Sequence, residues 1–139
     1  MSERHVVLAV LTVRNGYVLQ HRDDHPGIPW PGHWGLFGGG VERGESPIHA
    51  IKREIREELC LDVLAWRRLW VFINYSPFWD RIYHCTTFAA DITDMWQAHV
   101  LGEGQETGVF PLHALPQPIV SAAAALIERY DEMMMRGER

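Results

Sequence analysis

Apolar and polar positions change period several times along the chain, and each change marks an element. Residues 6–13 and 17–22 are rich in apolar and β-branched side chains, with Asn15-Gly16 between them. That dipeptide readily takes the positive φ angles of a two-residue turn, so the pair reads as a hairpin. Residues 23–35 carry Pro26, Gly27, Pro29, Pro31 and Gly32 and read as a loop. Leu36 and Phe37 read as a short strand ending at Gly38-Gly39-Gly40. Ser46-Pro47 then offers an N-cap hydroxyl and a proline at the first helical position. The helix this opens is predicted to run to about Leu59, with Ile48, Ile51, Ile55 and Leu59 as its core stripe. Residues 63–75 and 81–91 read as two long strands joined by a turn at 76–80. Their apolar content on both faces predicts a sheet covered on both sides. A short strand at 109–110 and a proline-rich loop at 111–118 follow. From Ile119 onward, Ala123, Leu126, Ile127, Tyr130, Met133 and Met134 keep helical spacing and predict a docked terminal helix. The order predicts an α/β domain with one mixed sheet between helices.

Composition narrows the class. The 139 residues show no internal repeat or linker and read as one domain spanning 1–139. A net charge of −5 argues against a nucleic-acid polymer as partner, because that contact needs a basic face. It leaves room for a small anionic ligand, since a bound divalent cation reverses the local field. Cys60 and Cys85 make no disulfide framework, which points to the cytoplasm. The apolar run at 5–13 is too short to cross a membrane. Glu3 offsets Arg4 and no small-residue cleavage site follows, so the run is read as a strand and not a signal peptide. The aromatic long strands leave either a monomer or a homodimer open.

The candidate chemistry lies on the first helix. Glu54, Glu57 and Glu58 fall within one ~100° sector of an ideal helix. Acids three and four apart repel by roughly 0.2–0.5 kcal/mol per pair, and the helix dipole disfavours anions near the C-terminus. A bound cation would compensate. Mg²⁺ suits such a group, because it takes a few carboxylates while keeping waters and phosphate oxygens in its shell. Hydrolysis of a diphosphate bond needs what such a site supplies: an activated water and neutralised phosphoryl oxygens.

The spacing carries a further signal. Gly39 is followed by Glu45 and then by Arg53-Glu54-Ile55-Arg56-Glu57-Glu58-Leu59-Cys60-Leu61. This run resembles the Nudix box, departing from it only where Cys60 stands in place of glycine. Phe37 also replaces a proline that many members carry. The resemblance implies the Nudix fold, an α/β/α sandwich. It also implies Mg²⁺-dependent (or Mn²⁺-dependent) hydrolysis of a nucleoside diphosphate linked to a moiety X, with nucleoside triphosphates and oxidised nucleotides included.

By the same resemblance, Glu54, Glu57 and Glu58 form the metal and general-base group, with the Gly38 carbonyl as an extra ligand. Arg53 is expected to pair with Glu45 and orient the loop. Glu103 is expected as a further metal ligand or base, with Glu106 as its competitor. Two alternatives remain beside hydrolysis: a non-catalytic ligand-sensing or partner-binding module on this fold, and isomerisation of isopentenyl diphosphate. The retained acids speak against the first, and the lack of a well-placed cysteine–glutamate pair against the second.

For the substrate, Arg22 is a phosphate candidate. Trp30, Phe37 and Trp79 are stacking candidates, with Tyr75, Phe78 and the 115–118 loop behind them. His21, His25 and His33 have loop spacing too irregular for a transition-metal site. Cys60, if it closes the helix in the left-handed conformation, costs roughly 1–2 kcal/mol.

Overall fold

Strand β1 (Glu3–Val13) runs through the middle of the protein, and its two-residue alternation builds two cores at once. In the computed structural model, which describes residues 3–102 and 106–137, Val7, Ala9, Leu11 and Val13 face one helix and Val10 faces the other. The first helix, α1 (Pro47–Leu59), buries Ala50, Ile51, Ile55 and Leu59 against that first face. The second, α2 (Ser121–Met135), buries Ala123, Leu126, Ile127 and Met133 on the opposite side. Burying one such aliphatic side chain is worth about 1.5–3 kcal/mol, so each stripe fixes its helix firmly. The expected helix–sheet–helix layering is present.

The other strands are β2 (Gly16–His21), β3 (Trp34–Gly35), β4 (Phe37–Gly40), β5 (Arg67–Ser76), β6 (Arg81–Asp91) and β7 (Glu106–Phe110). Their order is β3-β2-β1-β6-β5, with β4 paired to β1 and β7 to β2. β1 runs parallel to β6 from Glu3↔Ile82 to Thr12↔Asp91. Its other edge is shared: β4 pairs with Val6 to Ala9, and β2 only with Thr12 and Val13. This sharing brings the glycines of β4 against the middle of β1, where α1 begins.

Both ends of α1 follow from local chemistry. Ser46 is extended (φ −82°, ψ 158°) and its Oγ accepts from the His49 N–H, while Pro47 takes the first helical position. Cys60 closes the helix in the left-handed conformation (φ 57°, ψ 33°), its N–H donating to the Arg56 carbonyl. The strain expected of a non-glycine residue there is real.

Several expectations shift. The β1–β2 turn is centred on Arg14-Asn15, with Arg14 at φ 55°, one residue before the Asn15-Gly16 expected from sequence. Gly16 sits in β2, where a Cβ would come within 2.5 Å of Val109 Cγ1. Close approach of β7, not a turn angle, therefore requires that glycine. β5 begins at Arg67, later than expected, and is not covered on both faces. It lies at the sheet edge: Trp70 and Phe72 pack on the α2 side, where Arg129 lies 4.1 Å over the Trp70 ring, while Val71, Ile73 and Tyr75 are exposed. A 3-10 helix at Thr93–Ala98 was not legible in the sequence, and β7 is longer than the short strand expected. Ile119 precedes α2 and instead bridges Trp34. Among the described residues, no helix is long and apolar enough to cross a membrane.

Candidate active site

The loop between β4 and α1 is held by one arginine. Arg53 Nε and Nη2 donate to Glu45 Oε2 at 2.8 Å and Oε1 at 3.0 Å, a bidentate pair. Nη2 also donates to the Gly40 carbonyl at 2.8 Å, and Nη1 to Glu54 Oε1 at 2.8 Å. Glu42 adds an ion pair at 3.0 Å. The hydrogen bonds from Arg53 hold the Glu45 carboxyl down to a pKa of about 2, and the same contacts raise the guanidinium above its ordinary value. The expected Arg53–Glu45 ion pair is thus formed.

The three helix acids differ in environment. Glu54 is largely buried, and its carboxylate lies against Gly39, where any Cβ would overlap it. A side chain at position 39 would therefore have to displace that carboxylate. Glu57 is the most exposed and is loosely held, with Arg53 3.4 Å away. Glu58 is buried and accepts a long hydrogen bond from Gln20 Nε2 at 3.4 Å. On the helical wheel Glu58 borders the apolar stripe, so the acidic sector expected to be separate from the core in fact dips into it. Among the described residues, no three His, Cys, Asp or Glu side chains converge as a finished metal cage. Mg²⁺ does not demand one, since it usually takes one or two carboxylates and keeps several waters.

A cleft of about 700 Å³ opens beside these residues. Its floor is one face of the sheet, Val6 and Leu8 from β1 with Tyr83 and Cys85 from β6. Gly39 and Gly40 form the rim toward the acids. Of the substrate candidates, Arg22, Trp30 and Trp79 line it, as do Tyr75 and Phe78. Trp30 is about half exposed and adopts φ 55°, an uncommon angle for a bulky residue. Arg22 is half buried. Burial pulls its pKa below the ordinary value, and the negative charge of Glu58 works against that shift. Burial also pushes the Cys85 thiol up to about 11, so this floor residue stays protonated near neutrality.

Other expectations are corrected. Phe37 cannot stack on a ligand: it begins β4 and is fully buried, packed in the core that α1 covers. The 115–118 loop does not line the cleft; the wall there comes from Val120, Ser121 and Ala122. The chain is held in that place by Val120 N–H to Trp34 carbonyl and Trp34 N–H to Pro118 carbonyl hydrogen bonds. Glu103 lies outside the described residues. Glu106, its competitor, begins β7 with its carboxylate 3.5 Å from His21 Nδ1. His21 stacks on Trp34 and His33 bonds to the Pro31 carbonyl, so these histidines serve loop packing. Gln20 as a partner of Glu58 and the β1 and β6 floor were missed. Only the i, i+2 alternation of those strands hinted at the floor.

Comparison with known proteins decides the family. A family model described as NUDIX domain matches residues 2–130. The chain belongs to the Nudix family. Nucleoside triphosphatase NudI of Escherichia coli O139:H28 (strain E24377A / ETEC) is 44% identical over 59 residues, which is 42% of this chain and 41% of that protein. The match therefore spans less than half of the length of this curated relative. A MutT NUDIX hydrolase from Burkholderia pseudomallei superimposes with a TM-score of 0.79 at 24% identity, covering 92% of this chain and 98% of that one. The NUDIX domain of Shewanella oneidensis NrtR, solved with ADP ribose, gives 0.77 at 21% identity over 96% and 90%. The architecture is thus the Nudix fold.

Proposed function

We propose that this Nudix protein, with residues 1–139 acting as one catalytic unit, hydrolyses a diphosphate bond in a nucleoside diphosphate linked to a second moiety X. One observation carries the reading: the aromatic cleft and the acidic face of α1 share the Gly39–Gly40 rim, with Glu54 directly behind Gly39. The names of the relatives agree with it, one being a nucleoside triphosphatase and another having been solved with ADP ribose.

The all-oxygen donor set of Glu54, Glu57 and Glu58, with the Gly38 carbonyl as the further ligand that the resemblance implies, fits a hard divalent cation such as Mg²⁺ or Mn²⁺. Such an ion supplies charge neutralisation on the phosphoryl oxygens and polarisation of the attacking water. The chain's own residues do the rest. Trp30 holds the base by stacking, Trp79 borders the path of the phosphates, and the side-chain-free rim lets the diphosphate approach backbone and acids closely. Arg22 offers a guanidinium to a phosphate oxygen. Arg53 and Glu45 hold the loop so that Glu54 keeps its place. Water attacks one phosphorus, the bridging P–O bond breaks, and a glutamate of the α1 group takes the proton. Two phosphate-bearing fragments leave. Exposed Cys60 and buried Cys85, both free, fit a reducing cytoplasmic setting.

The test is a panel of nucleoside triphosphates, oxidised nucleotides, nucleotide sugars, dinucleoside polyphosphates and ADP-ribose, with Mg²⁺ and with EDTA. Turnover of at least one class is expected, abolished by EDTA and lowered by roughly 10²–10⁴ in Glu57→Gln, the usual range for losing an acid–base group. Folded protein without turnover of any compound, or turnover indifferent to EDTA and to Glu57→Gln, would overturn the reading.

A further inference from the structure

The floor of the cleft changes chemistry along its length. β1 contributes Leu8, Val6 and then Arg4; β6 contributes Cys85, Tyr83 and then Arg81. Alternate residues of a strand share a face, and the parallel register sets Val6 beside Cys85 and Arg4 beside Tyr83. Both rows therefore run from apolar to cationic in the same direction. Leu8 to Arg4 is roughly 13 Å of strand. Arg22 and Trp30 stand at the Leu8 end. At the other end the cleft meets a recess of about 390 Å³ that holds Arg4, His5 and Arg81 and shares Gly40, Trp79 and Tyr83 with it.

Among the described residues, no acid lines this recess. Arg53, Arg56 and Arg136 each have a carboxylate partner, yet among the described residues none pairs with Arg4 or Arg81. Asp80, next to Arg81 in sequence, is instead occupied by the Tyr75 hydroxyl at 2.7 Å. Two arginines lining one recess in a chain of net charge −5 make a local positive field. Guanidinium is also the donor whose geometry matches a phosphate oxygen pair.

We propose that the Arg4–Arg81 recess is an anion subsite for the far end of X, so that the preferred substrates carry a further phosphate there and not a neutral sugar. This rests on the hydrolase reading only in taking the Gly39–Gly40 rim as the path of the diphosphate. With the base against Trp30, the chain of phosphates passes the rim and ends between the two arginines.

Binding in EDTA, where turnover is stopped, tests the subsite directly. Titration calorimetry would compare ATP with ADP-glucose and GTP with GDP-mannose, pairs that share a nucleoside diphosphate and differ in the charge of X. Wild-type protein is expected to prefer the triphosphate in at least one pair. Arg4→Gln/Arg81→Gln should weaken that triphosphate roughly tenfold or more, the size of a lost charge-assisted contact, with thermal unfolding unchanged. The matching nucleotide sugar should change by no more than about twofold, as expected of screened surface charge. Arg81→Lys, which keeps charge and loses the fork, should fall between, and it serves if the double variant folds poorly. Equal weakening of both members of a pair, no weakening of the triphosphate, a wild-type preference for the sugar, or no nucleotide binding at all would each overturn the subsite. Binding as described without hydrolysis in Mg²⁺ would overturn the hydrolase reading and leave the subsite standing.

Discussion

Gly39 and Glu54 are in direct steric register: the glycine leaves only enough room for the carboxylate of Glu54 behind it. The three glycines of β4 consequently differ: two face close neighbours and one faces open space. Gly38 abuts the Val7 carbonyl, Gly39 abuts Glu54, and a Cβ on Gly40 would meet nothing within 4 Å.

Alanine at each position should separate these cases. Gly38→Ala pushes against β1 backbone and should cost about 2 kcal/mol or more in urea unfolding, the scale of an overpacked core site. Gly39→Ala should displace Glu54 and lower kcat/KM by roughly 10²-fold, as misplacement by about 1 Å does. Gly40→Ala should stay within about 0.5 kcal/mol of wild type in stability. An equal response at all three positions would contradict the structure.

Cys60 carries the left-handed strain at the end of α1. Cys60→Gly should raise stability by about 1 kcal/mol, the relief of 1–2 kcal/mol being partly offset by the greater freedom of glycine in the unfolded chain. Thermal unfolding reads the gain. Activity should not change, because the side chain is exposed and outside the cleft.

The Glu45–Arg53 pair gives stability a pH dependence of known sign. Glu45 titrates near 4.5 when unfolded and at about 2 when folded. Its contribution is therefore fully present above the unfolded value and disappears as pH falls through the folded one. Denaturant midpoints of wild type and Glu45→Gln, measured without metal, should differ most above about pH 5 and converge toward about pH 2. A gap that stays constant across this window would show that the ion pair is not the source.

Trp30 offers a test that separates stability from binding. Trp30→Gly removes the ring and also relieves φ 55°, so the unfolding temperature should be unchanged or higher. Nucleotide affinity should nevertheless fall by about 5- to 150-fold, corresponding to about 1–3 kcal/mol for one stacked base. Unaltered affinity in a calorimetric titration would remove Trp30 from the site.

What the sequence determined by itself is whatever depends on neighbours in the chain. The spacing of Glu54, Glu57 and Glu58 and the Ser46 cap are helix-period or short-loop relationships and were readable, while the Arg53–Glu45 partnership and the conditional strain at Cys60 came through the resemblance that the same run carries. The two core stripes and the layered arrangement they demand were readable as well. Only the tertiary structure decided which surfaces remain open. Phe37 and Trp30 are both aromatic residues near the glycines, yet one is sealed by α1 and the other borders a cleft. Glu58 is buried beside Gln20, a residue 38 positions away. Arg4 and Arg81 share a recess because β1 and β6 pair in parallel, a register set across most of the chain. Burial and convergence depend on which distant segment packs against a side chain, and no local period carries that information.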